Sequence, residues 1–310
     1  MKYAHIIFAA ANELWAMERE KLSAVVAFLS FQAAGGKLDD AEIQAKITKQ
    51  DERTVAKSDG SIALLPLRGV ISNRAAMLDD ISSGGGTSCE TFGRSFMSAV
   101  TDDNVKAIVI DTDTPGGAST GVDELSKLVF DARGTKPIIA HVNANCASGG
   151  YWIASAADEM VVTPSGSVGS IGVYSIHDDL SKALEEAGIN KTIVSAGKYK
   201  TELNCFGPLS DEARAYLQSR VDNCNDMFVA AVARNRGVSQ AAVRNGFGQG
   251  RMIDALDAVD QGMADKVGTL DDTLQRFGAS LYMPAAQSNA GRRAFAKQRE
   301  LRALDLAAEF

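Results

Sequence analysis

Short runs of apolar residues alternate with amphipathic segments through the middle of the chain. The runs are rich in β-branched residues and too short for buried helices, so they predict strands. They are SIALLPLRGVI, VKAIVIDTD, KPIIAHVNA, EMVVTP and KTIVSA. CETFGRSFMSAV and the stretch ending at Val129 predict helices between them. Apolar strands that alternate with helices predict an α/β fold with parallel pairing.

Helix-like spacing replaces this alternation near the start of the chain. Leu14, Met17 and Leu22 begin a series of apolar residues spaced as on one face of a helix. The first ~55 residues therefore predict amphipathic helix. The polar run TKQDERTVAKSDG that follows is typical of a linker.

A second helical region lies near the other end. The pattern predicts one long helix from Asp211 to Arg234, which Gly237 would terminate. The sequence beyond Gly278 is polar, rich in alanine and basic in its middle. We therefore divide the chain into a helical leader at 1–57, a central domain at 58–275, and a linker or helical extension at 276–310.

Composition narrows the classes of function. The net charge of -7 disfavours a general nucleic-acid binder, so no nucleic-acid partner is expected. The four cysteines form no CxxC pair and no HExxH is present, so we expect no metal and no cofactor. The apolar run Ile6–Ala11 is too short for a usual signal peptide. No apolar stretch reaches about 18 residues, so no membrane association is expected.

Two glycine-containing turns follow predicted strands. In TDTPGGAS, Gly116 and Gly117 would let a backbone N–H turn outward and stabilise an oxyanion, although a simple tight turn is the alternative. In CASGG, Ser148 would begin a helix with Gly149 as a second N–H donor. Ser148 is then either a nucleophile or only a helix cap.

Candidate bases come from two later stretches. TPSGSVGSIGVY is rich in Gly and Ser but contains no GxxxxGK[ST], so a phosphate site has no support. Its polar residues Ser167 and Ser170 could orient a base. In SAGKYKTELN, Lys198 and Lys200 are solvated surface lysines unless one is buried beside a serine, where desolvation would free its amine to accept a proton.

The two later histidines are weaker candidates. His141 lies within a predicted strand, and His177 lies past the SIGVY strand. Neither has an obvious acidic partner, so core or surface positions are expected for both.

Four ordered stretches, DTPGG, NCASGGYWIASAAD, SGSVGSIGV and SAGKYKTELN, resemble peptidase family S49, the signal-peptide-peptidase-A-like serine proteases. GRMIDALDAVDQGMADKVG resembles the closing segment of that family. The resemblance covers roughly residues 61–270. It implies a ClpP/crotonase-like spiral fold of repeated ββα units.

The resemblance also implies residue roles in a serine endopeptidase with a Ser-Lys dyad. Ser148 would be the nucleophile and Lys200 the general base, with Lys198 as its competitor. Thr201 departs slightly from the family pattern after the lysine. Ser170 would form a hydrogen bond to the lysine. Gly149, together with Gly116 or Gly117, would form the oxyanion hole.

The leader ELWAMEREKL resembles that of phage-encoded members, which process head proteins. This implies capsid or scaffold substrates, possible self-cleavage, a homo-oligomeric ring, and location in the host cytoplasm or procapsid. Val70 and the loop containing Gly85 and Gly86 would line the groove, where an extended peptide adds to a strand edge. The alternatives are a bacterial membrane-associated signal-peptide peptidase, a crotonase-type acyl-CoA enzyme and a non-catalytic scaffold.

Overall fold

The computed structural model describes residues 13–18, 57–58, 62–74 and 86–281. Its strands are β1 (Trp15–Met17), β2 (Lys57–Ser58), β3 (Ile62–Arg68), β4 (Val70–Ser72), β5 (Gly86–Ser88), β6 (Ala107–Thr114), β7 (Gly116–Ala118), β8 (Ile138–Ala147), β9 (Glu159–Val162), β10 (Ser167–Gly169), β11 (Met252–Asp254) and β12 (Lys266–Val267). Its α-helices are α1 (Cys89–Thr101), α2 (Val122–Asp131), α3 (Gly149–Ala154), α4 (Ser181–Glu186), α5 (Asp211–Arg236), α6 (Gln240–Gly246), α7 (Ala255–Asp260) and α8 (Leu270–Gln275). A 3-10 turn spans Gly248–Gly250.

The strands form two sheets. The main sheet follows the order β11-β10-β8-β6-β3-β2, with β9 beside β8 and β12 beside β9. Pairings among β3, β6, β8, β9 and β10 are parallel. The second sheet has the order β1-β7-β4-β5. The predicted α/β fold with parallel pairing is confirmed, and β6, β7 and α2 form one strand-strand-helix unit.

The core lies between the main sheet and the helices, and it holds α3 in place. Every residue of α3 is buried, because the helix lies between the sheet and α5. The Trp152 ring stacks on Phe228 of α5, with centroids 4.4 Å apart and planes within 6°. Such stacking adds to the stabilisation from burial. The first turn of α3 is therefore fixed from both sides.

Two predicted elements differ from the structure. Residues 191–195, within KTIVSA, pair with no strand among the described residues, and Val194 is 93% exposed. A strand needs a partner edge, and apolar composition alone does not supply one. Met17 is not helical but lies in strand β1, and Leu14 immediately precedes that strand. Residues 1–12 and 19–56 of the predicted leader, and the tail beyond residue 281, lie outside the described residues.

The long helix is confirmed, with bounds close to the prediction. Helix α5 runs two residues beyond the predicted end, and Gly237 terminates it in a left-handed conformation. Among the described residues, no helix is long and apolar enough to cross a membrane. The three-part division of the chain stays a prediction.

Candidate active site

Ser148 lies at the junction between β8 and α3, with 1% of its surface exposed. Its φ of 53° and ψ of -115° are unusual for a residue other than glycine. The hydroxyl makes no capping bond to the helix, so the interpretation as a side-chain cap is wrong. Its Oγ instead lies 3.4 Å from the carbonyl oxygen of Gly172. The turn thus presents a buried hydroxyl that does not serve the helix.

Three glycines surround this turn. The Gly116 N–H donates to Thr114 Oγ1 at 3.0 Å. A Cβ on Gly117 would lie 1.9 Å from the Ile71 carbonyl oxygen, so strand β4 approaches too closely for any side chain. A Cβ on Gly149 would lie 3.7 Å from the Gly117 nitrogen. Gly117 and Gly149, which are distant in sequence, are therefore neighbours in space.

The segment around β1 lies against the same glycines. Strand β1 pairs antiparallel with β7, with Ala16 opposite Gly117. On its other edge the Trp15 N–H donates to the Tyr174 carbonyl at 3.0 Å, and the Tyr174 N–H donates back at 3.2 Å. A strand from the leader is thus held between two backbone segments of the central domain.

Ser170 directly follows β10, the strand that neighbours the end of β8. Strands β8 and β10 run parallel, with Gly169 opposite Ala147. The Ser148 N–H donates to the Gly169 carbonyl at 2.7 Å. Ser170 also has a positive φ, of 52°, and its N–H donates to the Arg251 carbonyl at 2.8 Å. The two serines therefore sit in adjacent turns of unusual backbone geometry.

Lys200 does not contact Ser148 within this chain. It is exposed in a turn, where its N–H donates to the Gly197 carbonyl at 3.2 Å. It lines a cavity of about 830 Å³ together with Phe206 and Tyr216. The structure has no hydrogen bond from Lys200 Nζ to either Ser148 or Ser170.

Lys198 has partners of its own on the surface. Its Nζ donates to the Tyr199 hydroxyl at 2.6 Å and to Glu212 Oε1 at 3.1 Å. These hydrogen bonds, first that of Tyr199 and then that of Glu212, raise the pKa of Lys198. Lys198 is thus held in its protonated form.

Two of the three predicted groove residues, Val70 and Gly86, lie on the second sheet. Val70 pairs with Gly86 and packs against the cluster of Trp15 and Met17. Gly85 lies outside the described residues. Val70 therefore contacts the leader strand that lies along the glycines.

His141 occupies a core position and His177 a partly exposed one, as expected. His141 is fully buried, with Nδ1 3.0 Å from Thr273 Oγ1. Burial lowers the pKa of His141 from 6.5 to about 4. His177 Nε2 lies 3.1 Å from the Gly207 carbonyl. Neither ring forms a hydrogen bond to the Ser148 hydroxyl.

Sequence reasoning missed Thr114 and Ala16. Thr114 is buried and its hydroxyl also donates to the Gly69 carbonyl at 2.6 Å, so it connects the glycine turn to β4. Its place in TDTPGG, two residues before Gly116, is the signal that could have identified it. For Ala16, the small residue between two large apolar ones in LWAM was the available signal.

The chain is similar in sequence to known proteins. Residues 131–281 match the profile of peptidase family S49. The chain is 31% identical to the capsid assembly protease C of Escherichia phage lambda over 74% of this chain and 52% of that protein. It is 28% identical to the head-tail preconnector protein GP5 of Enterobacteria phage P21 over 90% of this chain and 54% of that protein. The chain thus spans about half the length of these curated relatives.

More distant similarities extend beyond phages. Protease 4 of Haemophilus influenzae is 26% identical over 69% of this chain and 34% of that protein. Among solved structures, a membrane-bound stomatin-specific protease matches 70% of this chain and 84% of its own, with 16% identity and a TM-score of 0.43. The match over residues 131–281 includes Ser148, Ser170 and Lys200. The chain carries a peptidase S49 domain over residues 131–281.

Proposed function

We propose that this chain is a serine endopeptidase that cleaves capsid or scaffold proteins during phage head assembly. The observation that carries the proposal is the buried Ser148 hydroxyl, which caps no helix and lies at a turn beside Gly117 and Gly149. Two phage relatives are named a capsid assembly protease and a head-tail preconnector protein, which supports the choice of substrate. The host cytoplasm or the procapsid is the corresponding location.

The reaction is acyl transfer to a serine. Neutral Lys200 takes the Ser148 proton while Oγ attacks a peptide carbonyl. The developing oxyanion accepts hydrogen bonds from backbone N–H groups. Lys200 then protonates the leaving amine, and water hydrolyses the acyl-enzyme. Ser170, in the turn after β10, would hold the lysine in position.

The contacts favour Gly117 over Gly116 as an oxyanion donor. The Gly116 N–H is already bound to the Thr114 hydroxyl. Gly117 faces the leader strand and is a neighbour of Gly149. We assign the oxyanion hole to the N–H groups of Gly117 and Gly149.

We further propose that Lys200 meets Ser148 across subunits of a homo-oligomeric ring. Lys200 lies in an exposed segment that also exposes large apolar side chains; they include Ile176, Ile189, Ile193, Val194, Tyr199 and Phe206. Exposed apolar patches of this kind are typical of protein interfaces. A partner subunit that covers the segment would desolvate Lys200 and favour its neutral amine.

Matched substitutions test these roles. Ser148→Ala and Lys200→Ala should each abolish cleavage of a capsid or scaffold candidate, as measured by mass spectrometry of the fragments. Lys198→Ala is the matched control and should retain cleavage, because Lys198 is paired with Glu212. Undiminished cleavage by Ser148→Ala would refute the proposal.

Mixing the two inactive variants tests the subunit arrangement. If the dyad forms across subunits, co-assembled Ser148→Ala and Lys200→Ala chains contain some sites with both groups intact, and activity returns. If each chain completes its own dyad, the mixture stays inactive. Sedimentation analysis of the same mixture verifies that the chains have co-assembled.

A further inference from the structure

Strand β1 of the leader binds the candidate site as an extended peptide would. It lies between β7 on one edge and Tyr174 on the other. All three of its residues are buried. Addition of a strand to exposed sheet edges is a common mode of peptide recognition.

The register places one carbonyl at the proposed oxyanion hole. The Ser119 N–H donates to the Leu14 carbonyl at 3.0 Å, and the Glu18 N–H donates to the Pro115 carbonyl at 2.8 Å. Hydrogen-bonded pairs alternate along an antiparallel ladder, so the pair between these two, Ala16 and Gly117, is also hydrogen-bonded. The Gly117 N–H therefore points at the Ala16 carbonyl.

Gly149 approaches the same oxygen. A Cβ on Gly149 would lie only 3.2 Å from Ala16 O, and a Cβ on Gly116 would lie 2.2 Å from it. The Ala16 carbonyl oxygen thus lies among the glycines to which the proposed mechanism assigns the oxyanion. Glycine is needed at Gly116 for this oxygen to fit, and a Cβ at Gly149 would make a tight contact with it.

The subsite around the Ala16 side chain admits only a small group. Trp15 and Met17 pack together with Ala118 on one face of the strand. Ala16 is completely buried on the other face, with its Cβ 3.7 Å from where a Cβ on Gly149 would lie. A side chain longer than alanine or serine would meet the first turn of α3.

We propose that the segment from Leu14 to Glu18 is a substrate of the chain's own active site, cleaved between Ala16 and Met17. This rests on the proposed function. It deepens that function by assigning a small residue to the position before the cleaved bond. The residue whose carbonyl lies in the oxyanion hole supplies the acyl group, which sets the bond that breaks.

The step balances with the groups already named. Ser148 Oγ bonds to the Ala16 carbonyl carbon, and the serine proton passes through Lys200 to the Met17 nitrogen as the C–N bond breaks. Water then hydrolyses the ester and restores the hydroxyl. The products are a fragment ending in the Ala16 carboxylate and a chain beginning with the Met17 amine.

Intact-mass spectrometry of the full chain, incubated in its assembled form, tests the proposal. Wild type and Ala16→Ser should release the fragment that ends at residue 16. Ser148→Ala should stay intact. Ala16→Leu should lose at least about 100-fold in rate at this bond, because a displaced carbonyl loses an oxyanion-hole hydrogen bond, and the loss of one donor costs at least about that much. Ala16→Ser is the matched control, because its side chain still fits.

Casein digestion by the same preparations separates the two proposals. Wild type that digests casein while its bond between residues 16 and 17 stays intact overturns the self-cleavage but leaves the proposed function standing. Wild type that cleaves neither overturns both. Because wild type and Ser148→Ala decide the matter alone, a folding defect in Ala16→Leu would not obscure the result.

Discussion

The Thr114 hydroxyl accepts a hydrogen bond from the Gly116 N–H at 3.0 Å and so fixes the glycine turn beside Ser148. The same hydroxyl donates to the Gly69 carbonyl at 2.6 Å. Thr114 is buried, so no water can replace it. One side chain thus connects the glycine turn to the residue that precedes β4.

Thr114→Val keeps the shape of the side chain and removes both bonds. A buried donor and a partly buried acceptor are left unpaired, so we expect the free energy of unfolding to fall by about 2 kcal/mol. The proposed cleavage rate should fall as well, with kcat more affected than KM, because the oxyanion donor next in the chain is displaced. Denaturant titration and steady-state kinetics measure the two effects.

Thr101→Val is the matched control for this substitution. The Thr101 hydroxyl bonds to carbonyls at the end of α1 and is exposed, so water can replace it. We expect a change within about 0.5 kcal/mol, as for most surface substitutions. An equal loss in both variants would contradict the connecting role of Thr114.

Gly150→Ala should destabilise the turn through a specific clash. The new Cβ would lie 2.2 Å from the Thr114 Cγ2 methyl. Overpacking of this kind costs about 1–3 kcal/mol. Thr114→Ser removes that methyl and keeps the hydroxyl, so the double variant should recover most of the loss, as a double-mutant cycle would show. Gly246→Ala, with open space around it, should cost little.

Arg133→Lys should lower the free energy of unfolding, although it keeps the positive charge. The Arg133 guanidinium donates to the carbonyls of Ala156, Ala157 and Asn235 at 2.8, 2.6 and 2.9 Å, and so joins the chain after α3 to the end of α5. A lysine ammonium cannot match this fork. We expect a loss of about 2–3 kcal/mol in the free energy of unfolding.

Arg94→Lys provides the comparison for this substitution. Arg94 makes one exposed side-chain bond, to Thr91 at 3.2 Å. Chemical denaturation should find its stability close to that of wild type. A loss in Arg133→Lys no larger than in Arg94→Lys would show that the carbonyl contacts contribute nothing.

His141 should make stability depend on pH in the weakly acidic range. Its pKa is lowered by burial from 6.5 to about 4, so the fold favours the neutral ring and the unfolded chain binds the proton first. Its contribution is therefore fully present above about pH 6.5 and is lost as pH falls toward 4, a change of about 3 kcal/mol at most. His141→Asn should have a lower free energy of unfolding than wild type at neutral pH, and this difference should shrink as the pH falls from about 6.5 toward 4. Urea titrations at pH 7 and pH 4.5 measure it, and a constant deficit would contradict the assignment.

Local patterns in the sequence were sufficient for the long strands, for helix α5 and for the turn at Ser148. The buried strands have runs of β-branched residues. The turn has a run of small residues, which is a specific signal for a sharp change in backbone direction. Residues 191–195 have the same apolar pattern but lack a partner strand among the described residues, and a partner is a tertiary property. The spacing of Leu14 and Met17 fitted a helix, but backbone bonds to β7 and Tyr174 make that segment extended.

Local sequence patterns could not predict which residues that are distant in sequence lie close together in space. The approach of Gly117 to Gly149 depends on how the second sheet stacks on the start of α3. The place of Ala16 depends on a strand contributed from about 100 residues away in sequence. Only the resemblance to a known family suggested that Ser148 and Lys200 belong together, and the fold of a single chain leaves them apart.

The left-handed backbone at Ser148 has a consequence for the evolution of this protein. A residue with a side chain held at such a φ costs the fold about 1–3 kcal/mol, and glycine would avoid most of that cost. Ser148→Gly would therefore increase the stability of the fold, but it would remove the reactive hydroxyl. Selection for stability alone would erase this serine, so its persistence in a lineage would itself be a sign that cleavage is being maintained.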